Sequence, residues 1–331
     1  MSDEALAFLA GRPLFADLDP ETLRHLSDLM VPFRLDAGET LFVEGQASHR
    51  MYVVEHGRLA VSDRLPGDRE LRMGEIGPGG ILGEMALLRG IEHAATAVAI
   101  EPTTGYEVGR HALGVLATRS DAASLRVARL VGGRATALLR REYEVLRRAI
   151  GSAPADVPLP LGAAGRHPGD DGGDELSYLA GLPFFDGFER EDVAAVVEGM
   201  EWRWADRGTV LVAEDTVPGA LLLVVRGAVE ATLRGDGHAA RVLLAGPGRC
   251  AAHLGVLDDG ASPVVCRARE RCVLVAIPRE HVRALAHSDR PLDRRLVRAI
   301  YHDVVGAVEQ AQRPLARLAA SGVDPGTLGE G

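Results

Sequence analysis

Hydrophobic and polar positions alternate along two long parts of the chain. The first part contains short alternating runs such as TLFVEG (residues 40–45) and RMYVVEHGRLAVSDR (residues 50–64), with glycine between them. The second part repeats this pattern and includes the apolar run ALLLVV (residues 220–225). Short runs of this kind, punctuated by turn residues, are typical of antiparallel strands in a jelly-roll-like β-roll. The pattern therefore predicts a mainly β fold with flanking helices.

Helical periodicity flanks both sets of predicted strands. A short amphipathic helix is predicted before each set, at residues 20–30 and 189–200. Helical sequence also closes each set, at residues 110–150 and 279–318. Each predicted β-roll therefore ends in C-terminal helices.

The first closing helix carries an apolar stripe. Its members recur at helical spacing and are Leu130, Leu138, Leu139, Tyr143 and Leu146. This stripe is either a seam between two copies of the chain or a face that packs on its own β-roll. The pair Gly132-Gly133 is expected to kink or break the helix. The basic pairs Arg140-Arg141 and Arg147-Arg148 are interpreted as a solvated face.

The two halves of the chain repeat each other. FLAGRPLFADLDPETLRHL, starting at Phe8, resembles YLAGLPFFDGFEREDVAAV, starting at Tyr178. The offset of 170 persists downstream, where glycines 38 and 57 match glycines 208 and 227. Past the GPG motifs at residues 77 and 246 the offset becomes 169. Ordered matches over such a span indicate an internal duplication.

The duplication sets the predicted domain limits. The first domain covers residues 1–150 and the second covers residues 175–318. Residues 151–174 are rich in Gly, Pro and Asp without a hydrophobic period, which predicts a flexible linker. Residues 319–331 are predicted to form a tail.

Composition and charge exclude several classes of partner. The 331 residues carry a formal net charge of −10, with 37 Lys+Arg against 47 Asp+Glu. This balance argues against a nucleic-acid partner, because phosphate neutralisation supplies most of such affinity. No apolar run approaches the ~18 residues of a membrane span, and the acidic N-terminus lacks the basic start of a signal peptide. We therefore expect a cytoplasmic protein without a membrane partner.

Residues 79–96, the first cassette, have the composition of an anion cradle. Glycines here allow the backbone to approach a ligand closely. Free N–H groups at the start of a predicted helix from Gly83 favour a phosphate. The carboxylate of Glu84 would repel that phosphate but could accept hydrogen bonds from sugar hydroxyls. A phosphate together with a sugar describes a nucleotide-like ligand.

The motifs LGEMALL (residues 82–88) and AAT (residues 94–96) resemble the phosphate-binding cassette of the cyclic nucleotide-binding domain family. That family includes the bacterial catabolite activators and the regulatory subunits of protein kinase A. The resemblance implies that Gly83 and Glu84 face the ribose of cyclic AMP or cyclic GMP. The ligand-binding residues that it implies are Gly83, Glu84, Met85, Ala86, His93, Ala94 and Ala95.

Both cassettes depart from the family pattern. Where the family has Pro-Arg, the first cassette has Glu92-His93, so the bidentate arginine for the cyclic phosphate is missing. Losing such a charge-assisted bond costs about 1.5–3 kcal/mol, so weak binding is expected. The second cassette, residues 248–265, has Ala252, His253 and Ser262 at the corresponding positions. It is predicted not to bind a cyclic nucleotide in the family's way.

Two classes of function remain open. The sequence shows no catalytic or metal-binding constellation, so a non-enzymatic protein without a cofactor is expected. It is either a sensor, in which a nucleotide enters the first domain and the closing helix repacks, or a ligand-free module that docks on a partner protein or forms a homodimer. We expect neither a DNA-binding helix-turn-helix nor a basic kinase-inhibitor segment.

Overall fold

The computed structural model describes most of both predicted domains. The described residues are 2–11, 19–48, 50–65, 69–84, 92–93, 95–109, 112, 121–150, 175–198, 200–235, 238–285, 288 and 290–320. The parts of the chain outside the described residues include residues 113–120, the predicted linker at residues 151–174 and nearly all of the predicted tail. The chain divides into two compact units, residues 1–131 with 319–331, and residues 132–318. The predicted domain limits stay a prediction, since this division describes compactness alone.

Unit 1 begins with two helices, α1 (Ser2–Ala10) and α2 (Pro20–Leu29). Eight strands follow: β1 (Met30–Leu35), β2 (Thr40–Phe42), β3 (Arg50–His56), β4 (Leu59–Leu65), β5 (Arg69–Ile76), β6 (Ile81–Leu82), β7 (Thr96–Ala99) and β8 (Thr103–Gly109). They form two antiparallel four-stranded sheets, in the orders β1-β8-β3-β6 and β2-β7-β4-β5. We call these strands the first roll.

Helix α3 (Asp121–Ile150) continues across the division between the units. Unit 2 then contains α4 (Glu175–Ala180), a 3₁₀ turn (Pro183–Phe185) and α5 (Arg190–Glu198). Its strands are β9 (Glu201–Ala205), β10 (Val210–Val212), β11 (Ala220–Arg226), β12 (Val229–Gly235), β13 (His238–Ala245), β14 (Cys250–Ala251), β15 (Val265–Ala268) and β16 (Cys272–Pro278). We call these strands the second roll. Helices α6 (Arg279–Leu285) and α7 (Pro291–Ala320) close it.

The second roll repeats the topology of the first. Its sheets have the orders β9-β16-β11-β14 and β10-β15-β12-β13, which are the first roll's orders with eight added to each strand number. Three register irregularities also recur at an offset of 170, for example between Thr40 and Phe42 and between Val210 and Val212. The prediction of two tandem β-rolls with helices is confirmed.

An apolar core fills each roll. In the first roll it contains Phe42, Tyr52, Val54, Leu59, Leu82, Ala97 and Ala99. In the second roll, β11 is almost entirely buried, which explains why ALLLVV reads as a continuous apolar run. The three cysteines are free and buried, and burial raises the pKa of the Cys266 thiol to about 12.

Of the kink or break predicted at Gly132-Gly133, the break is wrong, because α3 is one continuous helix, and the kink stays a prediction. Gly132 instead permits close packing within unit 2. A Cβ atom at this position would lie 1.9 Å from the Cδ1 atom of Tyr301, so the ring can approach only a residue without a side chain. A Cβ atom on Gly133 would meet no atom within 4 Å.

The apolar stripe of α3 is buried within the chain. Leu139, Tyr143 and Leu146 are all buried in unit 2, Leu138 is half-buried, and the side chain of Leu130 lies outside the described part of the chain. The structure therefore favours the alternative in which the stripe packs inside the chain, although on the second roll's unit rather than on the first roll. The predicted seam is not an exposed surface, while self-association itself stays a prediction. Among the described residues, no helix combines the length and the apolar character needed to cross a bilayer.

Candidate functional site

The structure brings Gly83 and His93 together at the first cassette. Gly83 has a φ of +74°, in the left-handed region that favours glycine. A Cβ atom here would lie 3.0 Å from Cε1 of His93 and 3.0 Å from the carbonyl oxygen of Arg50. The lack of a side chain at Gly83 thus permits the left-handed turn and leaves space for the imidazole of His93.

The backbone of His93 is held by the turn that follows β2. Its N–H donates to the carbonyl of Gln46 over 2.9 Å, and its carbonyl accepts from the N–H of Gly45 over 2.9 Å. Its ring stacks on Phe42, with the centroids 3.8 Å apart and the planes 8° from parallel. His93 is only 5% exposed. The imidazole is therefore not solvated, while its role in binding a ligand stays a prediction.

Burial lowers the pKa of His93 below its ordinary value of 6.5. Burial of the imidazole is the cause of this lowered pKa, and the neighbouring Glu92 is exposed. At neutral pH the ring is uncharged and offers one N–H donor and one acceptor. The first cassette therefore meets an anion with less positive charge than an arginine would supply.

The other candidate residues of the first cassette are described in part. Glu84 is half-buried and helical, directly after the turn at Gly83. Ala95 is half-buried and precedes β7. Met85, Ala86 and Ala94 lie outside the described residues. The ligand-binding role of the whole set stays a prediction.

The second cassette reproduces the backbone of the first. Ala252, at the position of Gly83, has a φ of +67° although it carries a side chain. Ser262, at the position of His93, donates its N–H to Thr216 and accepts from the N–H of Asp215, each over 2.8 Å. Thr216 and Asp215 correspond to Gln46 and Gly45. The turn geometry has thus survived the loss of the side chains expected to hold a ligand.

Different side chains fill the second cassette. His253 is 3% exposed, and its Nε2 atom lies 2.8 Å from a carboxylate oxygen of Asp303 on α7. The hydroxyl of Ser262 donates to the carbonyl of Val264 over 3.0 Å. These polar groups bond to other parts of unit 2, and His253 and Ser262 are not hydrogen-bonded to each other in the described contacts.

Two arginines of α3 make contacts that were not predicted from the sequence. Arg140 donates to both carboxylate oxygens of Asp258, over 2.6 and 2.8 Å, and to the carbonyl of Ala261 over 3.0 Å. Arg147 makes a bidentate pair with Asp215 over 2.9 Å. Both arginines were interpreted as solvated. Their spacing of seven, with Tyr143 between them, places them on one helix face and was the available signal.

Known proteins resemble both rolls. The sequence profile of the family described as "Cyclic nucleotide-binding domain" matches residues 32–120 and 202–289. The acetyltransferase Pat of Mycolicibacterium smegmatis is 31% identical over 112 residues, which are 34% of this chain and 33% of that protein. The CRP-like cAMP-activated global transcriptional regulator of Mycobacterium tuberculosis is 26% identical over 105 residues, which are 32% of this chain and 47% of that protein. The chain thus matches less than half the length of these relatives.

A solved structure covers both rolls. The regulatory domain of Toxoplasma gondii PKA, crystallised with cAMP, is 20% identical to this chain. The match covers 86% of this chain and 91% of that one, with a TM-score of 0.33.

Proposed function

This chain belongs to the cyclic nucleotide-binding domain family, and on that premise we propose that it is a regulatory protein whose first cassette binds a cyclic nucleotide weakly. The proposal rests on one observation. Gly83 and His93 lie next to each other in the fold, and the helical residue Glu84 directly follows Gly83 along the chain. Backbone N–H groups at this turn would receive the phosphate. The carboxylate of Glu84 would accept hydrogen bonds from the ribose.

His93 sets the strength of this site. It replaces the arginine of the family pattern, and burial lowers its pKa, so it contributes a neutral donor rather than a charge. A neutral hydrogen bond contributes about 0.5–1.5 kcal/mol, against about 1.5–3 kcal/mol for a charged one. Binding should therefore be weaker than in a cassette with arginine by roughly tenfold.

The second cassette takes no nucleotide under this proposal. His253 stands where the ribose acceptor would be, and it is buried against Asp303. The first cassette is then the ligand-responsive part of the chain, and the second roll is a scaffold.

Calorimetric titration with cyclic AMP and cyclic GMP tests the proposal. Wild type should bind one of them weakly, and Glu84→Ala should abolish binding by removing the ribose acceptor. Glu92→Ala is the matched control, because it removes a neighbouring exposed carboxylate without touching the ribose site. It should bind at least as well as wild type, since a negative charge beside the anion is lost. Equal binding by Glu84→Ala and wild type would refute the assignment.

A second candidate function is a ligand-free interaction module, in which the rolls dock on a partner protein or form a homodimer. The observation that favours it is the stacking of His93 on Phe42, which places the imidazole in the roll's core. Absence of heat from either nucleotide, with wild type and with His93→Arg, would support this candidate. Sedimentation at tens of micromolar then distinguishes a 35.1 kDa monomer from a homodimer.

The absence of enzymatic activity remains a prediction. A relative whose match covers 34% of this chain is named as an acetyltransferase. The proposal assigns to the first roll only the binding of a regulatory ligand.

A further inference from the structure

A buried carboxylate of α7 lies against the start of the second cassette. Asp303 is 5% exposed. One carboxylate oxygen accepts the backbone N–H of Cys250 over 2.9 Å and lies 2.8 Å from Nε2 of His253. The other forms an ion pair with Nε of Arg249 over 2.6 Å. Two hydrogen-bonding groups and one cation from a five-residue segment thus converge on one carboxylate.

The two side chains that contact Asp303, those of Arg249 and His253, have no equivalent in the first cassette. With the offset of 169, Arg249 corresponds to Gly80 and His253 corresponds to Glu84. The first cassette therefore has no side chain at one of these positions and a carboxylate at the other. The second has a cation and an imidazole, which together with a backbone N–H suit an anion.

The ionisation of Asp303 agrees with this arrangement. Burial alone would raise the pKa of Asp303, but the hydrogen bond and charge of His253, the charge of Arg249 and the N–H of Cys250 outweigh it and lower the pKa. An ionised carboxylate only accepts hydrogen bonds, so Nε2 of His253 carries the proton that it shares with Asp303.

We propose that the second cassette is an anion-binding site whose ligand is the chain's own carboxylate, Asp303, and that this contact keeps α7 closed on the second roll without a nucleotide. A small monocarboxylate has the same charge and shape as the Asp303 side chain. It would therefore enter the site when that side chain is removed. This inference does not depend on whether the first cassette binds anything.

Chemical rescue tests the proposal. Asp303→Ala should lower the melting temperature by roughly 10 °C, because it leaves the half-buried Arg249 and the buried His253 without their anion. Acetate or formate should then raise the melting temperature of the variant in a saturable way, since a ligand of the folded state stabilises it. Sodium chloride at equal ionic strength should not.

Asp293→Ala is the matched control. Asp293 is a poorly exposed carboxylate of the same helix, but its partners Ser288 and Arg290 lie outside the second cassette. Acetate should not rescue this variant. Equal stabilisation of wild type, Asp293→Ala and Asp303→Ala by acetate would overturn the proposal.

Asp303→Asn keeps the size of the side chain and an acceptor for the N–H of Cys250, so it serves if the alanine variant does not fold. It should melt below wild type and gain nothing from acetate, because the amide fills the site without a charge. A melting temperature equal to that of wild type would show that no anion is needed and would also overturn the proposal.

Discussion

At the mouth of the first cassette, a carboxylate (Glu84) follows a left-handed glycine, and a neutral imidazole (His93) lies beside it. At the same place in the second cassette, an imidazole (His253) follows a left-handed alanine and lies against the carboxylate of Asp303. The backbones agree and the side-chain chemistry is reversed. The backbone conformation of this turn therefore does not depend on which side chains surround it.

This difference separates what local geometry determines from what a ligand requires. The bonds from residues 45 and 46 to His93 recur from Asp215 and Thr216 to Ser262, so the roll closes in the same way in both copies. Under the proposed function the second cassette binds no nucleotide, so a ligand does not fix the charge at its opening. In the second copy, Arg140 pairs with Asp258 of the cassette, and Asp303 lies against His253.

Restoring the family's charge in the first cassette should give the largest effect. His93→Arg is expected to tighten binding of a cyclic nucleotide by roughly tenfold or more, because a charge-assisted pair replaces a neutral contact. A guanidinium can also stack on Phe42, as the imidazole does. Calorimetry measures the change, with circular dichroism to establish that the variant is folded. A folded variant that binds no better than wild type would contradict the assignment of the first cassette as a nucleotide site.

Breaking the contact between α3 and the second cassette should have the next largest effect. Arg140→Ala should lower the free energy of unfolding by about 2 kcal/mol, because it removes three hydrogen bonds around Asp258. Arg141→Ala is the matched control on the adjacent exposed position and should change it by less than about 0.5 kcal/mol. Urea denaturation measures both. Equal losses from the two variants would mean that Arg140 is solvated, as the sequence alone suggested.

Exchanging the residues of the two left-handed turns should give a smaller, asymmetric effect. Gly83→Ala should destabilise unit 1 by about 1–2 kcal/mol, because the new methyl group meets His93 and the backbone of Arg50 in a disfavoured conformation. Ala252→Gly relieves backbone strain but loses a buried methyl group and adds chain entropy, so it should change stability by less than about 1 kcal/mol. Urea denaturation again gives the values. A neutral Gly83→Ala would contradict the view that the turn requires glycine.

The predictable part of this molecule is the part with a period. The alternation in the strands and the repeated glycines, such as Gly38 and Gly208, predicted two rolls. Both rolls have equivalent sheet orders. The contacts of Arg140 and Asp303 reach over 118 and 50 residues along the chain, and no local pattern encodes such a pairing. The burial of His93 was not predicted for a similar reason, because its stacking partner Phe42 lies on β2, far from His93 along the chain.

The smallest expected effect is the response of unit 1 to acid. Burial lowers the pKa of His93 in the folded state, whereas the unfolded chain titrates near 6.5. Between these two values the unfolded state binds more protons, so stability falls as the pH falls through this window and is regained above 6.5. His93→Phe should remove this loss, because an apolar ring keeps the stack on Phe42 without a titrating group. NMR titration of the His93 imidazole gives the folded-state value directly, and a midpoint at or above 6.5 would contradict the expectation. A bound phosphate would favour the charged ring and raise this pKa, so the affinity of the first cassette should increase towards low pH while the free unit becomes less stable.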